Sequence, residues 1–251
     1  MKTLKRGLVI LISVVFTVNF AHSQDAPTMF VVHTDNVKFE KIPQYEQAAK
    51  SLKDNCVKYN IKDVNWTTIS VEDGRYVYVS PIEKMADLDK NPMEPLFEKM
   101  GDAAGKLFED MDQCYDSHSN AIVHYNPELS YNPEGYSVEG KNHREYHFLY
   151  YPPKNAKAMK EAMTKVKELF KSKGIKNGYD IYHSGFGSTE SYYMVSIAGK
   201  DDVAIALGGK ENDELFGDDK GDTFFNVIKL TSKYDQVEGD IRPDLSYNPS
   251  N

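Results

Sequence analysis

A seven-residue segment occurs twice in this chain, 116 positions apart. Residues 127–133 read Pro-Glu-Leu-Ser-Tyr-Asn-Pro, and residues 243–249 read Pro-Asp-Leu-Ser-Tyr-Asn-Pro, so a single Glu/Asp exchange separates the copies. Further landmarks keep the same offset: residues 75–80 align with 191–196, and Trp66 aligns with Tyr182. In a chain of 251 residues this repeat predicts two similar units in tandem, each of a common domain size.

The first 23 residues have the composition of a secretory signal peptide. Three basic residues precede an apolar stretch at 7–21, and Ala21 and Ser23 are the small residues expected at a cleavage site. We therefore predict that residues 1–23 are removed and that the protein is exported, to the periplasm or the extracellular space. The apolar stretch is shorter than the roughly 20 residues of a spanning helix, so no membrane span is expected after cleavage.

The charge of the chain argues against a nucleic-acid partner. Loss of the three basic residues of the signal peptide takes the formal net charge from −8 to −11. Binding to nucleic acid depends mainly on Lys and Arg that neutralise phosphates, and the sequence has no basic cluster that would override the acidic balance.

Hydrophobic patterning predicts the order strand–helix–strand–strand–helix–strand in each unit. In the first unit the predicted elements are strands at 29–33, 64–71, 76–82 and 121–125, with helices from Ile42 and over 96–115. In the second unit they are strands at 146–151, 179–186 and 192–198, a helix at 153–173, a short helix at 203–207, an acidic glycine-rich loop at 208–222 and a last helix at 224–234.

These elements divide the chain into residues 28–134, a polar linker at 135–143, and residues 144–251. Helices are expected to cover one face of an antiparallel sheet in each unit, which leaves the other face apolar and favours packing of sheet against sheet.

Strand alternation assigns side chains to the two faces of each sheet. Tyr76 and Tyr78, with Tyr192 and Met194, are predicted to face the opposite sheet, and the valines between them are predicted to lie under the helices.

This element order and duplication resemble the ferredoxin-like, dimeric α+β barrel superfamily, here joined in one chain. The resemblance covers residues 28–250 and rests on no superfamily-specific motif. It implies two tandem β-α-β-β-α-β units that form an intramolecular pseudo-dimer, compatible with a monomer, with a cavity between the sheets. It implies no single activity, because one fold serves many functions.

The leading functional hypothesis from the sequence is an exported, non-catalytic module that binds a small apolar or aromatic ligand between the two sheets. The candidate ligand-binding residues are Trp66, Tyr76, Tyr78, Tyr182, Tyr192, Met194 and His147. One alternative is a cofactor-free monooxygenase-like or haem-handling enzyme, for which His147 or His183 would be the axial ligand. The other is a structural or protein-interaction module. The sequence does not identify a cofactor.

The two cysteines leave two readings open. Cys56 and Cys114 lie late in the two long helices of the first unit, so they are expected at the same end of that unit. After export they could form a disulfide, or they could stay as buried free thiols. No His or Cys spacing matches a metal motif, and the acidic segment 213–222 lacks the EF-hand pattern, so no metal site is predicted.

The repeated segment also has two readings. Pro and Asn favour irregular backbone at each copy. Leu129 and Tyr131, with Leu245 and Tyr247, are predicted to anchor the tail of each unit on the opposite unit. The alternative is that the tyrosines line the ends of the cavity or bind a partner.

Overall fold

A computed structural model describes residues 28–249, so the predicted signal peptide lies outside the described range. The first half contains β1 (Met29–Val37), α1 (Ile42–Lys58), β2 (Thr67–Val71), β3 (Arg75–Ile82), α2 (Glu94–Met100), α3 (Asp102–Asp112) and β4 (Tyr115–Tyr125). The second half contains β5 (His143–Tyr150), α4 (Ala156–Ser172), β6 (Asp180–Ser184), β7 (Tyr192–Gly199), α5 (Asp202–Phe216), α6 (Lys220–Ile228) and β8 (Lys233–Ile241). Between residues 28 and 249, no helix combines the length and the apolar character needed to cross a membrane.

The strands form one closed antiparallel barrel in the order β1-β3-β2-β8-β5-β7-β6-β4. Each half contributes four adjacent strands, and the pairs β2–β8 and β4–β6 join the halves. The predicted α+β layering is confirmed, with the addition that the two sheets are hydrogen-bonded to each other at both edges. Because the barrel is closed, no described sheet edge is left open for pairing with another chain.

Two hydrophobic cores lie outside the barrel, between its wall and the helices. The first core packs α1 and α3 on the strands of the first half, and the second packs α4 and α6 on those of the second half. Leu245 and Tyr247 belong to the first core, whereas Leu129 and Tyr131 belong to the second. The two copies of the repeated segment are therefore exchanged between the halves.

Backbone and side-chain hydrogen bonds fix each exchanged segment. Trp66 and Tyr247 form an antiparallel bridge with N···O distances of 2.8 and 3.0 Å, and the Trp66 Nε1 donates to the carbonyl of Leu245 at 2.8 Å. The equivalent bridge in the other half joins Tyr131 to Tyr179, with both distances 2.9 Å. The structural counterpart of Trp66 is therefore Tyr179 and not Tyr182.

A difference in hairpin length reverses the predicted faces of β3. Three residues separate β2 from β3, but seven separate β6 from β7. The offset of 116 between equivalent residues of the two halves therefore fails within the hairpins. The cross-strand pairs of the two hairpins show that Tyr193 is the counterpart of Tyr76. A one-residue slip moves every side chain to the opposite face. The prediction that Tyr76 and Tyr78 face the opposite sheet is wrong: both point to α1, where their hydroxyls bond Glu46 and Tyr45.

The segment from 202 to 241 also differs from its prediction. The expected loop at 208–222 is helical, as α5 and the start of α6, and residues 233–241 form the strand β8 instead of the end of a helix. The Asp201 side chain caps α5 by accepting from the Ala204 N–H at 2.7 Å. This cap helps offset the unfavourable helix propensity of Gly208 and Gly209, which cost roughly 1 kcal/mol each relative to Ala.

The cysteines are buried free thiols in the described chain, so the disulfide reading is not supported. Both lie in the first core, and the Cys114 thiol donates to the Asp110 carbonyl at 3.3 Å. Burial raises the pKa of Cys56 to about 11.

Candidate functional site

Two cavities are the main candidates for a functional site. The barrel cavity, of about 480 Å³, lies inside the strands. The outer pocket, of about 580 Å³, lies on the outer face of the second half, between its sheet and α5. Both volumes fall in the range of small-molecule sites, but the two cavities are lined by different chemistry.

A row of polar side chains forms the floor of the outer pocket, because alternate residues of β5 and β8 point outward. Three cross-strand pairs make up this polar ladder: His143 with Asp240, Glu145 with Glu238, and His147 with Gln236. Directly opposed carboxylates such as Glu145 and Glu238 repel each other. The Gln236 amide offsets this repulsion by donating to Glu145 at 2.6 Å and to Glu238 at 3.2 Å.

His147 lies between a carboxylate, with which it makes a charge contact, and a hydroxyl, with which it makes a hydrogen bond. Its Nε2 lies 3.2 Å from a Glu145 oxygen, and its Nδ1 lies 2.6 Å from the Tyr234 hydroxyl. Because an ionised carboxylate only accepts, both contacts are satisfied when Nε2 carries the proton and Nδ1 accepts from Tyr234.

Burial also keeps His147 in its neutral form. Burial lowers the pKa of His147, and the negative charges of Glu145 and Glu238 oppose this effect without cancelling it. The imidazole is therefore neutral near pH 7, with a Glu145 partner placed to stabilise the imidazolium. This is the arrangement of a general base.

Two buried polar atoms in the wall of the outer pocket have no hydrogen-bond partner among the described residues. They are the Nε2 of His143 and the hydroxyl oxygen of Tyr179. The Nδ1 of His143 lies 3.0 Å from Asp240, which orients the ring and leaves Nε2 without a bond. Buried polar atoms normally find partners, but both atoms are shielded inside the wall, so a ligand in the pocket would reach them only after a local movement.

A lightly packed helix covers the outer pocket. Gly199 of β7 permits the approach of α5, because a Cβ at this position would lie 2.4 Å from Cγ1 of Ile205. Ile205, with Phe170 and Ile197, supplies apolar wall. Val203 and Leu207 on the same helix are 60% and 58% exposed, so much of the apolar surface of α5 is not buried against the sheet.

The barrel cavity receives only part of the predicted ligand-binding set. Tyr182, Tyr192 and Met194 line it. The other predicted residues do not: Trp66, Tyr76 and Tyr78 pack in or against the first core, and His147 lies on the outer face of the barrel. Trp66 instead packs against the Tyr247 ring, with centroids 5.3 Å apart.

Sequence reasoning missed most of the outer pocket. His143 was expected in a linker but begins β5, and neither Glu145 nor Glu238 was singled out. The alternation His143, Glu145, His147 was the available signal. Three titratable residues at every second position of a strand mark a polar face, and a polar face that helices are expected to cover suggests a site.

Three solved structures show what the fold is similar to. An anthrone oxidase-like protein superposes with a TM-score of 0.56 at 7% identity, over 87% of this chain and 92% of its own. A proposed monooxygenase from Fusobacterium nucleatum gives a TM-score of 0.53 at 12% identity, over 86% and 93%. Chlorite dismutase from Candidatus Nitrospira defluvii, in complex with imidazole, gives 0.52 at 8% identity, over 88% and 93%. No family model and no curated protein matches the sequence.

At these identities the likeness establishes the fold, which is similar to that of dimeric α+β barrel proteins. The comparison also corrects the leading functional hypothesis. The similar structures are described as a proposed monooxygenase, an anthrone oxidase-like protein and a chlorite dismutase, and they contradict the prediction of a non-catalytic binding module.

Proposed function

We propose that this protein is a monooxygenase-like enzyme that oxidises a small aromatic substrate with molecular oxygen in the outer pocket. The observation that carries the proposal is the arrangement of Glu145, His147 and Tyr234, in which a partly buried imidazole lies between a carboxylate and a hydroxyl. A neutral imidazole held by a carboxylate, inside a pocket with apolar walls, matches the requirements for proton abstraction from carbon or oxygen.

The reaction that suits these groups is oxidation of an activated methylene flanked by aromatic rings. His147 accepts the proton at Nδ1 once the substrate displaces the Tyr234 hydroxyl, and Glu145 stabilises the imidazolium. The resulting carbanion bonds to dioxygen, and the proton returned by His147 gives a hydroperoxide. Loss of the second C–H proton with cleavage of the O–O bond leaves one oxygen atom as the carbonyl of the product and releases the other as water.

Tyr234 is well placed to move. Its side chain is 51% exposed, so displacement of its hydroxyl from His147 costs little buried surface. Between turnovers the Tyr234 hydroxyl satisfies the Nδ1 lone pair with its single hydrogen.

Haem does not fit the cavities of the described chain. Haem needs an axial protein ligand such as His and cationic or polar groups for its two carboxylates. The outer pocket has His143 and His147 but no Lys or Arg in its wall, and it carries Glu145, Glu238 and Asp202. The barrel cavity has Arg75 and Arg144 but no His.

The other candidate axial ligand, His183, lies outside both cavities. It stacks on His124 at the β4–β6 seam, with ring centroids 5.0 Å apart. No described group of three or more His, Cys, Asp or Glu has the geometry of a metal site. We therefore assign the oxidation no haem and no metal.

The wider proposal keeps three sequence expectations. We infer that the chain arose by tandem duplication of a unit bounded by residues 28–134 and 144–251, that it is exported after loss of residues 1–23, and that it acts as a monomer. The exchanged repeat segments and the shared element order support the duplication.

Oxygen consumption with anthrone as the probe substrate tests the proposal. His147→Gln should lower kcat/KM by about 10²- to 10⁴-fold, the usual contribution of a general base. His124→Gln, which changes a half-buried histidine outside the pocket, should leave the rate near that of the unsubstituted protein. The rate should rise with pH through a pKa below 6.5, because the neutral imidazole is the active form. Equal rates for both variants, or activity that depends on added haem, would refute the proposal.

A further inference from the structure

Arg144 is a buried cation without a protein anion. It lies on β5, points into the barrel cavity and is 9% exposed. The other arginines between residues 28 and 249 each pair with a carboxylate: Arg75 with Asp73, and Arg242 with Glu46 and Asp244. No carboxylate oxygen of the described residues lies within 4.0 Å of an Arg144 nitrogen.

The hydrogen bonds of Arg144 leave most of its donors free for a ligand. Only Nη1 donates to described protein atoms, namely the carbonyls of Lys141 and His143, the latter at 3.0 Å. A guanidinium has five N–H donors in a planar fork that matches a carboxylate. Burial of such a group without an anion is unfavourable, so the unused donors indicate an anion in the cavity.

The body of the ligand is indicated by the rest of the cavity wall. Phe30, Phe148, Tyr182, Tyr192 and Met194 line it, and they offer aromatic and apolar surface. Aromatic side chains of this kind pack well against a planar ring.

One carboxylate, Asp180, lines the same cavity, with its oxygens more than 4.0 Å from the Arg144 nitrogens. Asp180 lies on β6 and Arg144 lies on β5, and the strand β7 runs between them. The backbones of β6 and β5 are therefore about 10 Å apart. Asp180 already accepts from the Asn132 amide at 3.1 Å and the Tyr125 hydroxyl at 3.3 Å. Repulsion from Asp180 therefore favours an anion at the Arg144 end.

That end is closed by the segment between the two halves. Val138 lines the cavity, and the bond from Arg144 to Lys141 ties the segment to the barrel wall. Gly239 of β8 is the cross-strand neighbour of Arg144, and it brings no side chain over the guanidinium.

We propose that the barrel cavity binds an aromatic carboxylate, with its carboxylate on the Arg144 fork and its ring between the aromatic walls. This site is separate from the outer pocket, whose polar ladder is acidic and would repel the same ligand. The proposal does not depend on the reaction assigned to the outer pocket.

Calorimetric titration of the whole mature protein with 2-naphthoate, and with neutral 2-naphthalenemethanol, tests the site. Arg144→Met should weaken naphthoate binding by about 10- to 100-fold, as expected for charge-assisted hydrogen bonds. The same variant should change binding of the neutral alcohol by less than about threefold, because the alcohol uses only the apolar walls. Arg75→Met is the matched control: Arg75 lines the same cavity but already pairs with Asp73 at 2.8 Å, so its loss should have little effect.

Three further measurements test the site. Without ligand, Arg144→Met should melt at an equal or higher temperature than the unsubstituted protein, because an unpaired buried charge is removed. Arg144→Lys should bind naphthoate with intermediate affinity, since it keeps the charge but not the fork. Naphthoate binding should persist in His147→Gln, which separates this site from the outer pocket. Unchanged affinity in Arg144→Met, or an equal loss in Arg75→Met, would overturn the proposal.

Discussion

The exchanged tails predict that a substitution late in the chain destabilises the first half of the protein. Leu245 is 1% exposed and lies in the first core. Leu245→Ala removes three carbons, worth about 2.4 kcal/mol in transfer free energy, and the cavity left behind adds to this. We expect a loss of about 3–4 kcal/mol, within the measured range for buried leucines. That is a large part of the roughly 5–15 kcal/mol that stabilises a typical protein.

Urea unfolding measures the size of this loss of stability, and native-state amide hydrogen exchange shows which part of the protein is affected. Amides of α1 should exchange faster in Leu245→Ala, because α1 packs on the first core, whereas amides of α4 should change little. Leu129→Ala should show the reverse pattern, since Leu129 lies in the second core. Asn248→Ala, an exposed change in the same segment, should stay within about 0.5 kcal/mol. A loss under 1 kcal/mol, or faster exchange in α4 alone, would refute the exchanged-tail reasoning.

Three further outcomes follow from single sites. His33 donates to a neighbouring buried aspartate, and this contact raises the pKa of His33. The contribution of His33 to stability is therefore full below pH 6.5 and is lost as the pH rises through the raised pKa. In His33→Gln the urea midpoint should therefore change less with pH between 5.5 and 8.5. Cys56 and Cys114 are free and buried. Alkylation without reductant should therefore modify neither thiol in the native protein and both thiols in urea. No modification in urea would establish a disulfide. Gly199→Ala should displace α5, because the new Cβ would collide with Ile205. Amide hydrogens of α5 should then exchange faster, and the added substitution Ile205→Ala should slow this exchange again. Unchanged protection of α5 in Gly199→Ala would contradict the close approach of Gly199 to Ile205.

The repeat and the periodic patterns were sufficient to predict the α+β order, because strand and helix periods are local properties of the sequence. The wrong faces of Tyr76 and Tyr78 came from a non-local cause. Four extra residues in the second hairpin shift the alignment, and strands amplify a shift of one residue into a change of face. The residues of β3 contain no information about the length of the β6–β7 turn in the other half.

The helix α5 shows a second limit. Gly208 and Gly209 beside acidic residues are typical of a loop, yet a cap at Asp201 and packing of Ile205 on the sheet favour a helix there. This is tertiary context overriding local propensity. The outer pocket was missed for the same reason, since its roof was expected to be a loop and half of its floor, on β8, was not predicted as a strand.

The exchange of the repeat segments has a consequence for the order in which the protein can be made. The core around Trp66 is completed by residues 243–249, which leave the ribosome after every other part of the barrel. The N-terminal half therefore cannot mature alone, and it waits for strand β8 as well, because β2 pairs with β8. Chains stalled before residue 233 should present an incomplete first core and an open barrel, and should remain substrates for chaperones and proteases. Synthesis of residues 233–249 is thus the step that commits both halves to the native state.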